Sequence, residues 1–290
     1  MKSISNILKD NSQLALRIAQ SRERILKNEE VKSFILKKKL TEEQIDDGLS
    51  KFNEFISESE KSSSSSMYQP LLIVNNGRID VSYRETELLI QERHKREEES
   101  RVSLMYLPEE FKKVSWEEDI YNQIDAEDKG RFEAIRYIVN FMEKKDRGSY
   151  LFGDFGIGKS YLMAGMIVKL AKEGIQSQML HYPSFISQAN FAAGKQLDEV
   201  KKADLLILDD IGGEVNNSWA RDSILQVILQ YRMDNKLPTF FTSNYSMKEL
   251  EERLAQTKDT KDSWAAKRVM ERIKFLAKEI HMEGKNRRHS

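Results

Sequence analysis

"YLFGDFGIGKSYLMAGM", Tyr150–Met166, is the most informative stretch of this chain for its fold. Its centre, Gly153–Ser160, has the spacing Gly-x-x-x-x-Gly-Lys-Ser. A short apolar strand is expected just before it, at residues 149–152, and a helix just after Gly158. The glycines allow the backbone to curl so that successive N–H groups point at phosphate oxygens, and the N-terminal end of the helix adds positive partial charge. The stretch therefore predicts a nucleotide-binding site.

Two side chains of this loop have expected chemical roles. Lys159 is expected to reach the β- and γ-phosphates of ATP, and the Ser160 hydroxyl is expected to be a ligand of Mg²⁺. ATP and Mg²⁺ are therefore the expected cofactors. The expected nucleotide-binding residues follow one another along the loop: Gly153, Asp154, Phe155, Gly156, Ile157, Gly158, Lys159, Ser160 and Tyr161.

A second polar site is expected where a buried strand ends in acidic residues. "LLILDD", residues 205–210, is an apolar run that finishes in Asp209 and Asp210. Because ligands lie at the carboxyl ends of the strands in open α/β sheets, Asp209 is expected to hold Mg²⁺, directly or through water. Asp210 is expected to orient or activate the water that attacks ATP. Many ATPases with this loop have Glu at that position, and the shorter Asp favours weak hydrolysis.

An amide ends the next predicted strand. "PTFFTSN", residues 238–244, finishes in Asn244, which is placed to fix the attacking water beside the γ-phosphate. The same residue also suits a helix N-cap or an Asx turn, and the two roles are compatible.

From about residue 106 onward, predicted strands and helices alternate. Further strands are expected at residues 177–182 and 278–283, and further helices at residues 219–233 and 266–276. This alternation predicts an α/β domain, residues 106–290, with a parallel sheet that is covered by helices on both faces.

The first 105 residues have a different pattern and are expected to form a small, mostly helical domain with its linker. Apolar spacing predicts helices within residues 1–60, including one continuous helix that Thr41 caps. The run of five serines, residues 62–66, predicts a solvated link or a disordered loop.

Two further elements are expected before residue 106. Two β-rich runs flank Asn75-Asn76-Gly77 and predict a β-hairpin. The charged stretch at residues 85–105 predicts a helix that links the first domain to the second.

Composition limits the partners and the compartment. Lys and Arg together number 47, as do Asp and Glu, so no global field attracts nucleic acid or membrane. The chain has no cysteine, which excludes disulfides, a thiol nucleophile and every cysteine-based zinc site. With only four histidines, no zinc is expected. No long apolar run is present, so we expect a cytoplasmic protein without a membrane partner.

Five stretches together resemble the bacterial replicative helicase loaders of the DnaI/DnaC type, which have the AAA+ fold: "GDFGIGKS", "LLILDDIG", "WARDSILQVILQYRM", "LPTFFTSNYS" and "AAKRVMERIKFL". The likeness is greater to the DnaI-type loaders of Gram-positive bacteria, and it is looser before residue 106. The resemblance implies a weak ATPase of the primosome that binds the hexameric replicative DNA helicase. It also implies delivery of that helicase onto single-stranded DNA during initiation or restart of replication, and self-association on the helicase ring.

The resemblance also implies a role for an arginine of the "RVMER" helix. In the family such an arginine acts in trans on the ATP of a neighbouring subunit, so Arg268 is the candidate and Arg272 is the second choice. Arg221 matches a family position too, with a role at an interface or in packing.

The chain departs from the family pattern in two ways. Many DnaI-type relatives have a cysteine-containing zinc site near the N-terminus, which this chain cannot form. Only a short tail follows the last predicted strand, so we expect no helical lid and no arginine from one. Arg287 and Arg288 in that tail are expected to form a disordered basic end rather than to replace a lid arginine.

Three alternative functions fit parts of the sequence. A transposition-helper ATPase has a related core but acts on a transposase and duplex DNA. A small-molecule or nucleotide kinase needs an acceptor pocket and usually an arginine-rich lid, and neither is evident. An ATP-binding adaptor without significant hydrolysis is compatible with Asp210.

Overall fold

The computed structural model describes residues 16–17, 19–62, 66–123, 128–144, 146–189, 194–258 and 261–287. The helix expected at the extreme N-terminus and the middle of the serine run lie outside these ranges. The chain divides into two compact units, Met1–Lys95 and Arg96–Ser290. The sequence placed this division after residue 105. The difference arises because residues just before 105 pair with the sheet of the second unit.

The first unit consists of helices and one hairpin. Its helices are α1 (residues 19–27), α2 (Glu29–Lys38), α3 (Glu42–Asp47), α4 (Leu49–Lys61) and the start of α5 (Glu87–Ser100). The hairpin strands are β1 (Tyr68–Asn75) and β2 (Arg78–Glu85). Its apolar core consists of Ile25, Val31, Ile45, Phe52, Phe55, Ile56, Leu72 and Ile79. A small helical unit with a β-hairpin is therefore confirmed.

The expected continuous helix after Thr41 is wrong, because two helices meet at Gly48. A Cβ at Gly48 would collide with the side chain of Ile79, so the close approach of the hairpin favours glycine there. Thr41 does form the expected cap: its hydroxyl accepts from the backbone N–H of Gln44 at 3.3 Å, and the Gln44 amide oxygen accepts from the N–H of Thr41 at 3.0 Å.

The hairpin turn forms within the expected Asn75-Asn76-Gly77 stretch, with Asn75 as the last residue of β1. Asn76 and Gly77 both have positive φ, at 50° and 79°, as a two-residue turn between right-twisted strands requires. Asn75 therefore pairs with Arg78, and the two strands remain in register to the end of the hairpin, where Tyr68 pairs with Glu85.

The charged linker helix ends earlier than expected. α5 stops at Ser100, and Val102–Met105 forms strand β3 instead. This strand pairs in parallel with the strand that begins at Ser177. The helical interpretation failed at Val102 because that side chain is buried against the sheet, and tertiary pairing overrides local charge pattern.

The second unit contains a six-stranded sheet in which all paired strands are parallel. Its other strands are β4 (Gly148–Phe152), β5 (Ser177–His181), β6 (Leu205–Asp209), β7 (Thr239–Ser243) and β8 (Ala277–His281). The order across the sheet is β3-β5-β6-β7-β4-β8. The carboxyl ends of β6, β7 and β4 are thus neighbours, and these are the strands that lead into Asp210, Asn244 and the glycine loop.

Helices cover both faces of this sheet, as expected. They are α6 (Lys129–Lys144), α7 (Lys159–Lys172), α8 (Tyr182–Gln188), α9 (Gly194–Lys202), α10 (Gln226–Asp234), α11 (Met247–Ala255) and α12 (Ser263–Leu276). One apolar cluster includes α6 and α7, and a second includes α8, α10, α11 and α12. After β8, the described residues up to Arg287 contain no further helix. No helix within the described ranges is long and apolar enough to span a membrane.

Candidate nucleotide-binding site

The glycine loop joins β4 to α7 with a backbone that only glycine adopts easily. Gly153, Gly156 and Gly158 have φ values of 149°, 76° and 93°. A Cβ at Gly153 would also collide with the carbonyl oxygen of Met282. The loop therefore depends on glycine at both ends, and it leads directly into the N-terminus of the 14-residue helix α7.

A cavity of about 850 Å³ opens at this edge of the sheet. It is lined by most of the expected loop residues, namely Phe155, Gly156, Gly158, Lys159, Ser160 and Tyr161. Asp209, Asp210 and Asn244 line the same cavity. Ile157 instead packs into the apolar core, where it is buried. The cavity thus brings together expected site residues that lie up to 89 positions apart in the chain, from Phe155 to Asn244.

Lys159 lies at the centre of the polar contacts. Its ammonium donates to the carbonyl oxygens of Gly153 and Asp154, both at 2.8 Å, and to Oδ1 of Asn244 at 2.9 Å. The side chain is largely buried. An ammonium has three N–H donors, so a phosphate oxygen that binds Lys159 competes with these oxygens for them.

Asn244 joins Lys159 to the acidic strand. While its Oδ1 accepts from Lys159, its Nδ2 donates to Oδ1 of Asp210 at 2.8 Å. The residue that caps the following helix is Ser246, not Asn244. The amide therefore acts in this bridge and not as a helix cap.

The two aspartates have different environments. Asp209 is buried, and its Oδ1 accepts from the Thr242 hydroxyl at 2.7 Å. Asp210 is half-buried with φ 58°, and its backbone N–H donates to the same hydroxyl at 2.9 Å. Burial, and then the charge of Asp209, raise the pKa of the Asp210 carboxyl above its usual value. Asp210 thus combines a raised pKa with greater exposure to solvent than Asp209, which suits the role of orienting a water.

His181 is a cavity residue that sequence reasoning did not select. It ends β5, beside β6, and its Nε2 lies 3.9 Å from Oδ2 of Asp210. Its Nδ1 shares a hydrogen bond with the Ser184 hydroxyl at 2.7 Å. The available signal was its position at the carboxyl end of a predicted strand, the same position that singled out Asp209.

The donor set fits Mg²⁺ bound together with phosphates. Within the described ranges, no cluster of three or more carboxylate or imidazole side chains is placed to hold a metal ion by itself. Mg²⁺ typically takes one or two protein oxygens and completes its shell with phosphates and water. The Ser160 hydroxyl and the Asp209 carboxylate line one cavity and offer such oxygens.

The candidate arginines of the C-terminal helix lie elsewhere. Arg268 is exposed on α12 and does not line the cavity of its own chain. Arg272 is half-buried and donates to Oε1 of Gln230 at 2.7 Å. Arg221 is buried, with a donation to the carbonyl oxygen of Leu254 at 3.0 Å, and therefore serves in packing.

Two arginines that approach the loop were not predicted to do so. The tail folds back so that the N–H of Arg287 donates to the carbonyl oxygen of Gly156 at 2.9 Å. The expectation of a disordered end is therefore wrong for Arg287, and Arg288 lies outside the described residues. Arg131 of α6 also lines the cavity. The sequence contained an indication of its burial, because helical spacing places Arg131 on the same face of α6 as Ala134, Ile135 and Ile138.

Two protein families match the sequence. The family described as "Primosomal protein DnaI N-terminus" matches residues 1–83. The family described as "IstB-like ATP binding protein" matches residues 76–290. The replicative helicase loader DnaI of Bacillus subtilis (strain 168) is 30% identical over 296 residues, which is 94% of each protein.

Solved structures show the same fold for the second unit. A Streptococcus pyogenes serotype M3 protein assigned to the primosome is 44% identical, with a TM-score of 0.55, over 66% of this chain and 97% of the other. A crystal structure of DnaI is 36% identical, with a TM-score of 0.57, over 66% of this chain and 99% of the other.

Proposed function

The chain belongs to the family of DnaI-type replicative helicase loaders with an IstB-like ATP-binding part, and we propose that it is an ATP-regulated loader of the hexameric replicative helicase. In this proposal it helps to deliver that helicase onto single-stranded DNA during initiation or restart of replication. Nearly the whole length of the chain takes part in the match, so both units belong to the proposal.

The observation that carries the proposal is the chain of hydrogen bonds from Lys159 through Asn244 to Asp210. A terminal phosphate that draws the Lys159 ammonium toward itself competes directly with Oδ1 of Asn244. Asn244 follows β7 and Asp210 follows β6. Replacement of the Asn244 oxygen by a phosphate oxygen at Lys159 therefore changes hydrogen bonds at the ends of two central strands. This gives the site a physical means to distinguish ATP from ADP.

Slow hydrolysis follows from the same residues. Asp210 accepts the proton of the attacking water or orients it, and the Asn244 amide fixes that water beside the terminal phosphate. Asp210 reaches one methylene less far than the Glu usual in such sites, so we expect turnover to be weak. Mg²⁺ held by Ser160 and Asp209 would neutralise charge on the phosphate oxygens.

An arginine from a neighbouring copy completes the site in this proposal. Arg268 is exposed and belongs to no cavity near the loop of its own chain, which is what a residue acting in trans requires. Arg272 is already bonded to Gln230 and to the carbonyl oxygen of Arg268, so it is less available. Self-association on the helicase ring would then couple neighbours through their ATP.

Binding of the helicase is assigned to the first unit. Residues 1–83 match the DnaI N-terminal family. The hairpin of this unit exposes two aromatic side chains, Tyr68 and Tyr83, each 52% accessible, which a partner protein could cover.

The test is co-elution of the full chain with the replicative helicase of the same organism, with ATP, with ADP and without nucleotide. We expect a complex whose stability depends on the nucleotide, and no complex under any condition would refute the proposal.

An ATP-binding adaptor is the second candidate, and the short reach of Asp210 favours it. Nucleotide-dependent co-elution with hydrolysis equal to that of Lys159→Ala would select the adaptor.

A further inference from the structure

Arg131 has a buried guanidinium in which two of the three nitrogens form no hydrogen bond with the described residues. The residue is 2% exposed, and within the described parts of the chain its Nε and Nη1 have no hydrogen-bond partner. Buried arginines elsewhere in this unit are bonded: Arg232 donates to Thr239 and to several carbonyl oxygens. Arg131 is therefore an exception that requires a physical reason.

The unpaired end of Arg131 lies at the glycine loop. Its Nη1 is 3.1 Å from the point that a Cβ on Gly158 would occupy. Gly158 is the N-cap of α7, so the guanidinium stands beside the positive end of that helix. The side chain of Arg287 reaches the same point, with Cδ 3.9 Å away.

This arrangement brings two positively charged side chains to one point of the glycine loop. Burial, and then the charge of Arg287, lower the pKa of the Arg131 guanidinium, yet an arginine remains protonated at neutral pH. Asp128 is the carboxylate that faces the pair, and it lies 3.6 Å from Arg287. The Arg131 guanidinium, the side chain of Arg287 and a helix N-terminus meet at one glycine of the cavity and form a site for a polyanion.

We propose that Arg131 is a phosphate-binding residue of the nucleotide site, acting in cis from α6. It supplies the polyphosphate with a guanidinium from the body of the domain, in addition to the Lys159 ammonium. Nucleotide binding then satisfies donors that the fold leaves unpaired, so bound ATP stabilises the domain through Arg131 as well as through the loop.

This inference rests on the proposed function, since it names a further residue of the same ATP site. It does not depend on the helicase. It also gives the domain an arginine–phosphate contact from α6. We expect no such contact from a helical lid, because the described residues after β8 contain no helix.

The test measures ATP affinity and thermal stability for Arg131→Met, which keeps much of the volume and removes the charge. We expect the affinity for a fluorescent ATP analogue to weaken about ten- to hundredfold, as loss of hydrogen bonds to a charged group implies. Without nucleotide, we expect a melting temperature equal to or above that of the wild type, because an unpaired buried charge is removed. A merely structural arginine would give the opposite change in stability.

Arg136→Met is the matched control, since Arg136 lies on the exposed side of the same helix. It should leave ATP affinity unchanged. If Arg131→Met does not fold, Arg131→Lys and Arg131→Gln replace it, and Lys should bind ATP more tightly than Gln. Unchanged ATP affinity in Arg131→Met, or equal ATP affinity in Arg131→Lys and Arg131→Gln, overturns the inference. The proposed function remains intact in that case, provided that the wild type binds ATP. If the wild type binds ATP no better than Lys159→Ala, both fail.

Discussion

Replacing Asn244 by Ala tests the bridge between Lys159 and Asp210. The substitution removes two hydrogen bonds to charged groups, at 2.9 and 2.8 Å. Such bonds contribute about 1.5–3 kcal/mol each, but the bridge lines an open cavity where water replaces part of the loss. We therefore expect the free energy of unfolding to fall by about 1–3 kcal/mol in total. For a domain of this size that lowers Tm by about 2–4 °C per kcal/mol.

The effects on ATP should separate binding from cleavage. Lys159 loses a competing acceptor, so ATP affinity should be unchanged or higher. Hydrolysis should fall about 10²-fold, the usual cost of removing one positioned donor near a reacting oxygen. The assays are fluorescent-nucleotide titration, single-turnover phosphate release and thermal unfolding.

Asn235→Ala provides the matched control. Asn235 donates to the carbonyl oxygen of Tyr231 at 2.8 Å, and it lies at the end of α10, outside the cavity. It should alter neither ATP affinity nor hydrolysis. If Asn244→Ala hydrolyses ATP like the wild type, the bridge does not connect the phosphate loop to Asp210 in catalysis, and the sensing mechanism is wrong.

Three further predictions concern single residues. Lys159→Ala should weaken ATP binding at least tenfold, measured by titration, because the phosphates lose a charged donor; wild-type affinity would contradict the site. Asp210→Asn should bind ATP without cleaving it, and wild-type phosphate release would remove Asp210 from catalysis. Because the pKa of Asp210 is raised, wild-type hydrolysis should decline on acidification at a higher pH than it would with an ordinary aspartate. Above that pKa the partly buried charge of Asp210 opposes folding, so Asp210→Asn should be more stable than the wild type there. Arg268→Ala should leave the ATP affinity of a lone subunit intact but lower hydrolysis at concentrations where copies assemble. Equal hydrolysis by Arg268→Ala and the wild type would exclude Arg268 from the site. Lys274→Ala, a change at another exposed residue of α12, is the control.

The features that depend on local spacing could be predicted from the amino-acid sequence. The glycine loop was readable because Gly153, Gly158, Lys159 and Ser160 are close together, and only glycine adopts that backbone without strain. The stretches "LLILDD" and "PTFFTSN" indicated strands that carry Asp209, Asp210 and Asn244 to one edge of a parallel sheet. Because carboxyl ends of parallel strands share an edge, the candidate residues were named before their distances were known.

Tertiary structure alone decided which groups meet across the chain. β6, β7 and β4 are adjacent in the sheet, and this order brings Asn244 within hydrogen-bond distance of Lys159, 85 positions away. The same long-range packing changed Val102–Met105 from a helix end into a strand. It also placed Arg131 beside Gly158. Such contacts have no local signature, because their energy comes from burial and charge between segments that the covalent chain holds far apart.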